Sequence, residues 1–435
     1  MAAFLAMTPT GPVHGRIRPP GSKSLTNRAL VCAALAEGES TLSGALDSED
    51  VRVMVDALVA LGIGIQAEWD SRTMTIRGCG GNIPAASAEL YVNNSGTTAR
   101  FLSALLALGR GRYRLDGNQR MRERPIQDLL DALAQVGAQA TSERGTGAPP
   151  LMIEASGWTG EKLAVRGDVS SQFLSGLLMA APRGVADRVV IEVEGQLVSV
   201  PYVDMTLAVM SQFGVDAETE RDADGVPRSF TVPRRPYRGR RFEVEPDASA
   251  ASYFLAAAAV TGGEVAIDGL SRESLQGDVR FVDALQEMGC EARWEANSIT
   301  VVGRPLRGIE IDMNAVSDTV MTLASVALFA DGPTTITGVA HIRHKETDRI
   351  TAVATELRKL GAKVEEFPDG LRIIPASRRG ARVDVYDDHR MAMSLAVVGL
   401  VTPGVEINDP GCVAKTYPRF FEDLGKLTGT AFDAT

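Results

Sequence analysis

Five times along the chain, apolar residues at helical spacing lead into Leu-Gly, Val-Gly, Phe-Gly or Met-Gly, at Gly62, Gly137, Gly214, Gly289 and Gly361. The intervals are 75, 77, 75 and 72 residues. A period of that size held over most of a chain demands repeated supersecondary units rather than unrelated domains. A glycine just past a helix can take the left-handed conformation that closes the last turn, so each one marks a helix end. Alternating segments follow, such as Ile63 to Ala67 and Lys363 to Phe367, and read as strands entering the next unit.

Each unit holds an earlier helix as well, rich in Ala and Leu and opening on small polar residues. The openings are Ser24-Leu-Thr-Asn, Gly96-Thr-Thr, Ser170-Ser-Gln, Ala248-Ser-Ala, Ser317-Asp-Thr and Asp387-Asp-His, all cap chemistries. Helices apolar nearly all round, such as Tyr253 to Val260, must be buried, which places them inside with sheets and second helices around them. Six units group as three plus three, within the two to three domains that 435 residues suggest. The proline- and arginine-rich stretch Val232 to Arg241, between units three and four, reads as a solvated hinge.

Its five arginines would matter as a nucleic-acid patch only against a basic background. The formal net charge is −10, which excludes a sequence-wide attraction to nucleic acid or anionic membrane. No stretch approaches the length of a membrane span, and the N-terminus lacks a basic segment followed by a long apolar core. Cys32, Cys79, Cys290 and Cys412 form no CxxC pair, so neither a zinc knuckle nor a disulfide framework is indicated, and Cys32 and Cys412 read as inert core thiols. The expectation is an unprocessed cytoplasmic protein.

A helix N-terminus presents free N–H groups and a partial positive charge. Several of these ends carry cations: Lys23 and Arg28 at the first, Arg100 at the second, Arg390 at the sixth, with Arg124, Lys345, Arg349 and Lys415 in or beside loops. The pattern predicts a cleft for phosphates and carboxylates. Gly21-Ser-Lys-Ser24 is no P-loop, because Ser22 stands where that motif needs glycine before lysine. The run His341 to Arg349 holds two histidines and two acids but no metal-ligand spacing, and its cations would repel a metal ion. That leaves Lys345, Glu346 and Arg349 as functional groups, against a solvated helix start. Asp318 reads both as an N-cap and as a site residue.

The motifs Gly21-Ser-Lys-Ser-Leu-Thr-Asn-Arg28, Asn94-Ser-Gly-Thr-Thr-Ala-Arg100, Arg120-Met-Arg-Glu-Arg-Pro125, Val169-Ser-Ser-Gln-Phe173, Lys345-Glu-Thr-Asp-Arg349, Asp388-His-Arg-Met-Ala-Met393 and Ala414-Lys-Thr416 span nearly the whole chain. In combination they resemble the enolpyruvylshikimate phosphate synthase family. The resemblance implies a two-lobed inside-out α/β barrel of six repeats, three per lobe, with buried helices. It implies that the chain crosses between lobes twice, giving residues 22–240 in one lobe and 1–21 plus 241–435 in the other, with the active site in the interlobe cleft. The implied activity is the transfer of an enolpyruvyl group from phosphoenolpyruvate to the 5-hydroxyl of shikimate 3-phosphate, a step of chorismate and aromatic amino acid biosynthesis and the target of glyphosate. No cofactor or metal is implied, no nucleic acid or membrane partner, and a monomer is expected.

By the same resemblance, shikimate 3-phosphate is held by Lys23, Ser24, Arg28, Ser170, Ser171, Gln172, Ser199, Tyr202, Asp318, His341 and Lys345. Phosphoenolpyruvate meets Lys23, Asn94, Gly96, Arg124, Gln172, Arg349, Arg390 and Lys415. Asp318 takes the hydroxyl proton, Glu346 gives one to the methylene carbon, and Lys23 stabilises charge or shares the transfer. Two positions depart from common family patterns: His341 where many members carry Asn, and Phe101 where they carry Pro or Leu, a bulk that, if it packs inward, is expected to strain or shift the helix that begins at Gly96. The nearest rival, a UDP-N-acetylglucosamine enolpyruvyl transferase, is disfavoured by Ser24 and by the lack of any cysteine between Cys79 and Cys290. A non-catalytic sensor of phosphorylated metabolites is disfavoured by Lys23, Asp318 and Glu346 standing together.

Overall fold

The computed structural model describes residues 4–432; the reading of the first residues as an unprocessed terminus falls partly on 1–3, outside them. The chain forms two compact units, one from the described residues of Met1–Pro20 and Glu245–Thr435, the other from Gly21–Val244. Each unit is built from three repeats of an inner helix, an outer helix and a small sheet. In the 21–244 unit these are α1 (Lys23–Leu35) and α2 (Glu49–Ala60), α3 (Gly96–Leu106) and α4 (Gln127–Gln135), and α5 (Ser171–Ala180) and α6 (Val200–Gln212). In the other unit they are α7 (Ala248–Thr261) and α8 (Phe281–Glu287), α9 (Val320–Ala327) and α10 (Arg349–Lys359), and α11 (His389–Gly399) and α12 (Phe420–Thr428).

The inner helices are buried nearly throughout, as their all-round apolar sequences require. The α3 and α5 backbones approach closely at Gly176, where a Cβ would stand 3.0 Å from the Arg100 carbonyl oxygen. In the other unit Ser252 of α7, Thr322 of α9 and Ser394 of α11 form a hydroxyl chain with links of 3.1 and 3.2 Å. Polar groups placed there satisfy one another, which removes most of the cost of burying them.

The outer helices end as their glycines demand. Gly62, Gly137, Gly214, Gly289 and Gly361 all have positive φ, between 86° and 114°. The residue after each donates to the carbonyl five positions back, as Ile63 does to Leu58 and Ala362 to Leu357, which is the Schellman closure. A sixth helix, α12, ends at Gly429 with φ 71° and completes the series.

Among the described residues there are six sheets, five of four strands and one of three. In a complete repeat, one strand leads into the inner helix and pairs in parallel with the strand that follows it, as Ser87–Tyr91 does with Arg110–Asp116. An antiparallel hairpin closes the sheet. The strands Gly64–Glu68 and Lys363–Phe367 stand where the alternation predicts them.

Two leading strands come from elsewhere in the chain. Arg241–Glu243, which precedes α7 in sequence, pairs with Glu39–Ser43 of the first repeat. His14–Ile17, which precedes α1, pairs with Glu264–Asp268 of the fourth. The segment read as a hinge is therefore fixed in the 21–244 unit: Tyr237 is buried, its hydroxyl donates to the Met179 carbonyl, and Arg238 pairs with Glu37. Its arginine side chains remain exposed, but the chain leaves this unit only at Val244.

Candidate active site

The side chains expected to be functional gather at the N-terminal ends of inner and outer helices, in one cluster per unit. In the 21–244 unit Ser22 caps α1, so the helix opens on Lys23, one residue earlier than the Ser24 opening expected. Lys23 is 9% exposed and its ammonium stands 3.5 Å from Asp50 at the start of α2. Arg28, one turn along α1, is buried and makes four hydrogen bonds, none to a carboxylate: to Thr206 Oγ1 at 2.7 Å, Tyr202 O at 3.0 Å, Ser24 O at 3.2 Å and Ser175 Oγ at 3.3 Å. Burial pulls its pKa down to about 10, still charged at neutral pH, so it is a desolvated cation without an anion.

Phe101 supplies the rest of that environment. Its ring lies with the Arg28 guanidinium 5.1 Å from the centroid, a cation–π contact, and the residue is fully buried on α3. The ring thus packs inward, against the Arg28 guanidinium.

Ser95 caps α3, and Arg124 closes over the helix start by donating to Asn94 O at 3.1 Å and Oδ1 at 3.2 Å. Arg100 donates to Gly96 O at 3.3 Å and Pro125 O at 3.2 Å. A Cβ on Gly96 would collide with the Arg124 guanidinium and stand 2.9 Å from Arg100 Nη1. At α5, Ser170 caps through Gln172 N, and Ser171 is buried. Ser199 holds φ 54° just before α6, and Tyr202 N donates to its carbonyl. Lys23, Arg28, Arg100 and Arg124 bring four cations to and beside the first turns of α1 and α3, with Asp50 paired to Lys23.

The second cluster is built differently. Arg349 opens α10 and is 1% exposed, with Asp388 at 2.8 Å, Glu346 at 2.9 Å and Asp318 at 3.1 Å. Burial works against its charge, but Asp388, Glu346 and Asp318 together hold its pKa above the ordinary value. Asp318 joins it to Arg390, 2.7 Å away, and Arg390 also donates to the Tyr253 hydroxyl at 3.4 Å. Glu346 stands between Arg349 and the Lys415 ammonium, 4.0 Å off. Arg349, Arg390 and Lys415 are thus interleaved with the carboxylates of Asp318, Glu346 and Asp388, and Asp387 lies within electrostatic reach of Lys415.

Asp318 is not the N-cap that its place before an apolar helix suggested. α9 begins only at Val320, after a 3₁₀ turn kinked at Val316, and its cap position Thr319 makes no side-chain cap bond. The two arginines hold that carboxylate instead. Nor are Glu346 and Arg349 a solvated helix start, since both are buried.

His341 lies in the 3₁₀ turn Ala340–His344 and is 5% exposed, while His344 is exposed. Burial, then Lys345, pushes the His341 pKa down to about 3, so the imidazole is neutral. A histidine that stays neutral when folded but binds a proton when unfolded stabilises the fold above its unfolded pKa of about 6.5 and loses that contribution as pH falls towards 3. Between pH 7 and pH 5 the wild type should lose about 2 kcal/mol more than His341→Asn, read by urea unfolding. Equal losses would mean that His341 is protonated in the folded protein. Among the described residues no group of three or more His, Cys, Asp or Glu side chains could hold a metal ion, and no helix is long and apolar enough to cross a membrane. Burial pushes the thiol of Cys32 up to about 12 and that of Cys412 up as well, but only Cys32 lies in the core as expected; Cys412 is partly buried against it.

The residues that position these groups were not all visible in advance. Asp50, Thr206, Ser175, Tyr253 and Asp388 each hold a site residue, and only Asp388 lay within a motif. The repeat contained a usable signal. Lys23 to Asp50, Gly96 to Arg124, Ser170 to Ser199 and Asp318 to Arg349 are 27, 28, 29 and 31 residues apart, the distance from inner to outer helix start.

Residues 7–424 match the family model for EPSP synthase (3-phosphoshikimate 1-carboxyvinyltransferase). A 3-phosphoshikimate 1-carboxyvinyltransferase of Nostoc punctiforme is 49% identical over 412 residues, covering 94% of this chain and 95% of the relative. The chloroplastic protein of that name from Arabidopsis thaliana is 45% identical, covering 98% and 85%. Among solved structures, EPSP synthase from Acinetobacter baumannii superposes with a TM-score of 0.81 at 25% identity, covering all of both chains.

Proposed function

The chain belongs to the EPSP synthase (3-phosphoshikimate 1-carboxyvinyltransferase) family, and from that membership we propose how its two clusters divide the work. The activity is the transfer of the enolpyruvyl group of phosphoenolpyruvate to the 5-hydroxyl of shikimate 3-phosphate, with release of phosphate. The substrates carry several negative charges each, so the reaction needs desolvated cations before it needs an acid or a base. The observation that carries the reading is the Asp318–Arg349–Glu346 cluster, in which two carboxylates stand ready on one buried guanidinium.

In this reading Lys23, Ser24, Arg28, Ser170, Ser171, Gln172, Ser199 and Tyr202 take shikimate 3-phosphate, joined by Asp318, His341 and Lys345. Arg28 suits a substrate anion because it lacks one of its own. Lys23, Asn94, Gly96, Arg124, Gln172, Arg349, Arg390 and Lys415 take phosphoenolpyruvate, with arginines matched to carboxylate and phosphate by their bidentate geometry. Asp318, oriented by Arg349 and Arg390, accepts the 5-hydroxyl proton as that oxygen attacks C2. Glu346 protonates C3, giving a tetrahedral intermediate, then takes a proton back from that methyl group as the C2–O bond to phosphate breaks, while the hydroxyl proton held by Asp318 leaves with the phosphate. When the substrate's anionic groups engage Arg349 and Lys415, Glu346 is released to carry the proton. No step calls for a metal or nucleotide. Four separated free cysteines suit a reducing compartment such as the cytoplasm, and we expect a monomer.

Phosphate release on mixing the purified protein with both substrates tests the reading, and silence would overturn it. Gly96→Ala should raise the phosphoenolpyruvate KM about tenfold and leave that for shikimate 3-phosphate within about twofold, because the new methyl displaces the Arg124 guanidinium. Equal KM values for wild type and variant would show that Arg124 does not meet phosphoenolpyruvate.

A further inference from the structure

The turn that leads into α11 is backbone that a sequence like this does not adopt unaided. Val385 O accepts from Asp388 N at 2.9 Å, and the two residues between, Tyr386 and Asp387, have φ 57° and 54°. Glycine takes such angles freely and aspartate tolerates them, but an aromatic residue there is disfavoured. Tyr386 is moreover 40% exposed, so burial of its ring does not compensate.

Something else fixes the turn, and it is a carboxylate outside both clusters. Glu356 is fully buried in α10. It accepts from the Tyr386 hydroxyl at 2.5 Å and from Asp384 N at 3.0 Å, and pairs with Lys359 at 2.9 Å. Lys359 reaches the Asp384 carboxylate as well, at 2.7 Å, while Asn408 donates to its other oxygen. The segment 384–386 is thus held from one helix through its backbone, its acid and its phenol.

The other end of the segment returns to the same helix. Arg349 and Glu356 are seven residues apart on α10, two turns, hence on one face. Arg349 takes both oxygens of Asp388, and Asp388 in turn caps α11 through Arg390 N. The turn therefore spans from Glu356 to Arg349 along α10, and what emerges from it is the residue that holds Arg349 and the residue that holds Asp318.

We propose that Glu356, acting with Tyr386, is a positioning residue for the phosphoenolpyruvate side of the site: it clamps the Val385–Asp388 turn and so sets Asp388 against Arg349 and Arg390 against Asp318. It touches no substrate. The proposal rests on the reading of the activity above.

Three variants test it, each compared with wild type for kcat, both KM values and thermal midpoint, together with amide hydrogen exchange at Asp388. Glu356→Ala should raise the phosphoenolpyruvate KM about tenfold and leave the shikimate 3-phosphate KM within about twofold, with faster exchange at Asp388 as the turn loosens. Adding Tyr386→Gly to it should recover most of that KM, because glycine adopts the turn without a clamp, although it leaves the thermal midpoint no higher. A merely structural glutamate gives the opposite pattern: a lower midpoint, both KM values moved together and no rescue. Should Glu356→Ala fail to fold, Tyr386→Phe decides, since it removes only a hydroxyl; about a threefold rise in the phosphoenolpyruvate KM is expected, and an unchanged value overturns the clamp. If the wild type itself releases no phosphate, the reading of the activity fails, and unchanged exchange at Asp388 in Tyr386→Phe would still overturn the clamp independently.

Discussion

Glu346→Gln slows turnover by about 10² to 10⁴-fold while both substrates bind nearly as before, the usual loss when a positioned proton donor is replaced by its amide. The side chain keeps its shape and its hydrogen bond to Arg349, which lies 2.9 Å away, so the cluster survives. What it loses is the capacity to give a proton to a carbon and take it back. Steady-state kinetics with each substrate varied in turn separates this from a binding defect. A near-normal kcat would reassign the donor, and Lys415, 4.0 Å from Glu346, would become the group to test.

Arg349→Ala is expected to cost about 3 to 5 kcal/mol of stability, far beyond an average substitution, because it strips the shared partner from three carboxylates. Asp388 is fully buried and Glu346 nearly so, and neither can turn to water for compensation. Arg349→Lys should fall between wild type and alanine, since one ammonium cannot reach three carboxylates in the directions that the guanidinium fork does. Urea unfolding of the three proteins checks this. A loss below about 1 kcal/mol in the alanine variant would mean that Lys415 and Arg390 take over the acids, and that the cluster is less rigid than its distances imply.

Much of this architecture was legible because its signals are local. Gly-terminated helices and alternating strands are written within a dozen residues, and Lys363–Phe367 stands where its alternation puts it. The sixth glycine escaped because Thr428, not an apolar residue, precedes Gly429. The late start of α9 escaped for another reason: Asp318 has the residue type of a cap, and only Arg349 and Arg390, distant in sequence, decide that it faces them instead. Asp50 and Glu356 carry no local signal, since each acts on a residue at least 27 positions away. The partners of Arg241–Glu243 and His14–Ile17 were equally hidden, because a three- or four-residue strand does not announce which sheet it joins.

Those displaced strands set an order of events during synthesis. The residues 21–244 leave the ribosome as one unbroken stretch, with every strand of their three sheets, and have what they need to fold. His14–Ile17 emerges before any of them, yet its partner begins at Glu264, 250 positions after His14. At roughly 5 to 20 residues per second that strand waits about 12 to 50 s, exposed and unpaired. Phe4–Ala6 waits longer, for Glu406–Asn408. Segments made ahead of both units are thus among the last to be secured. Trimming the chain before Lys23 takes a strand from each of two sheets in the unit completed last, whereas a break after Val244 leaves the other unit whole.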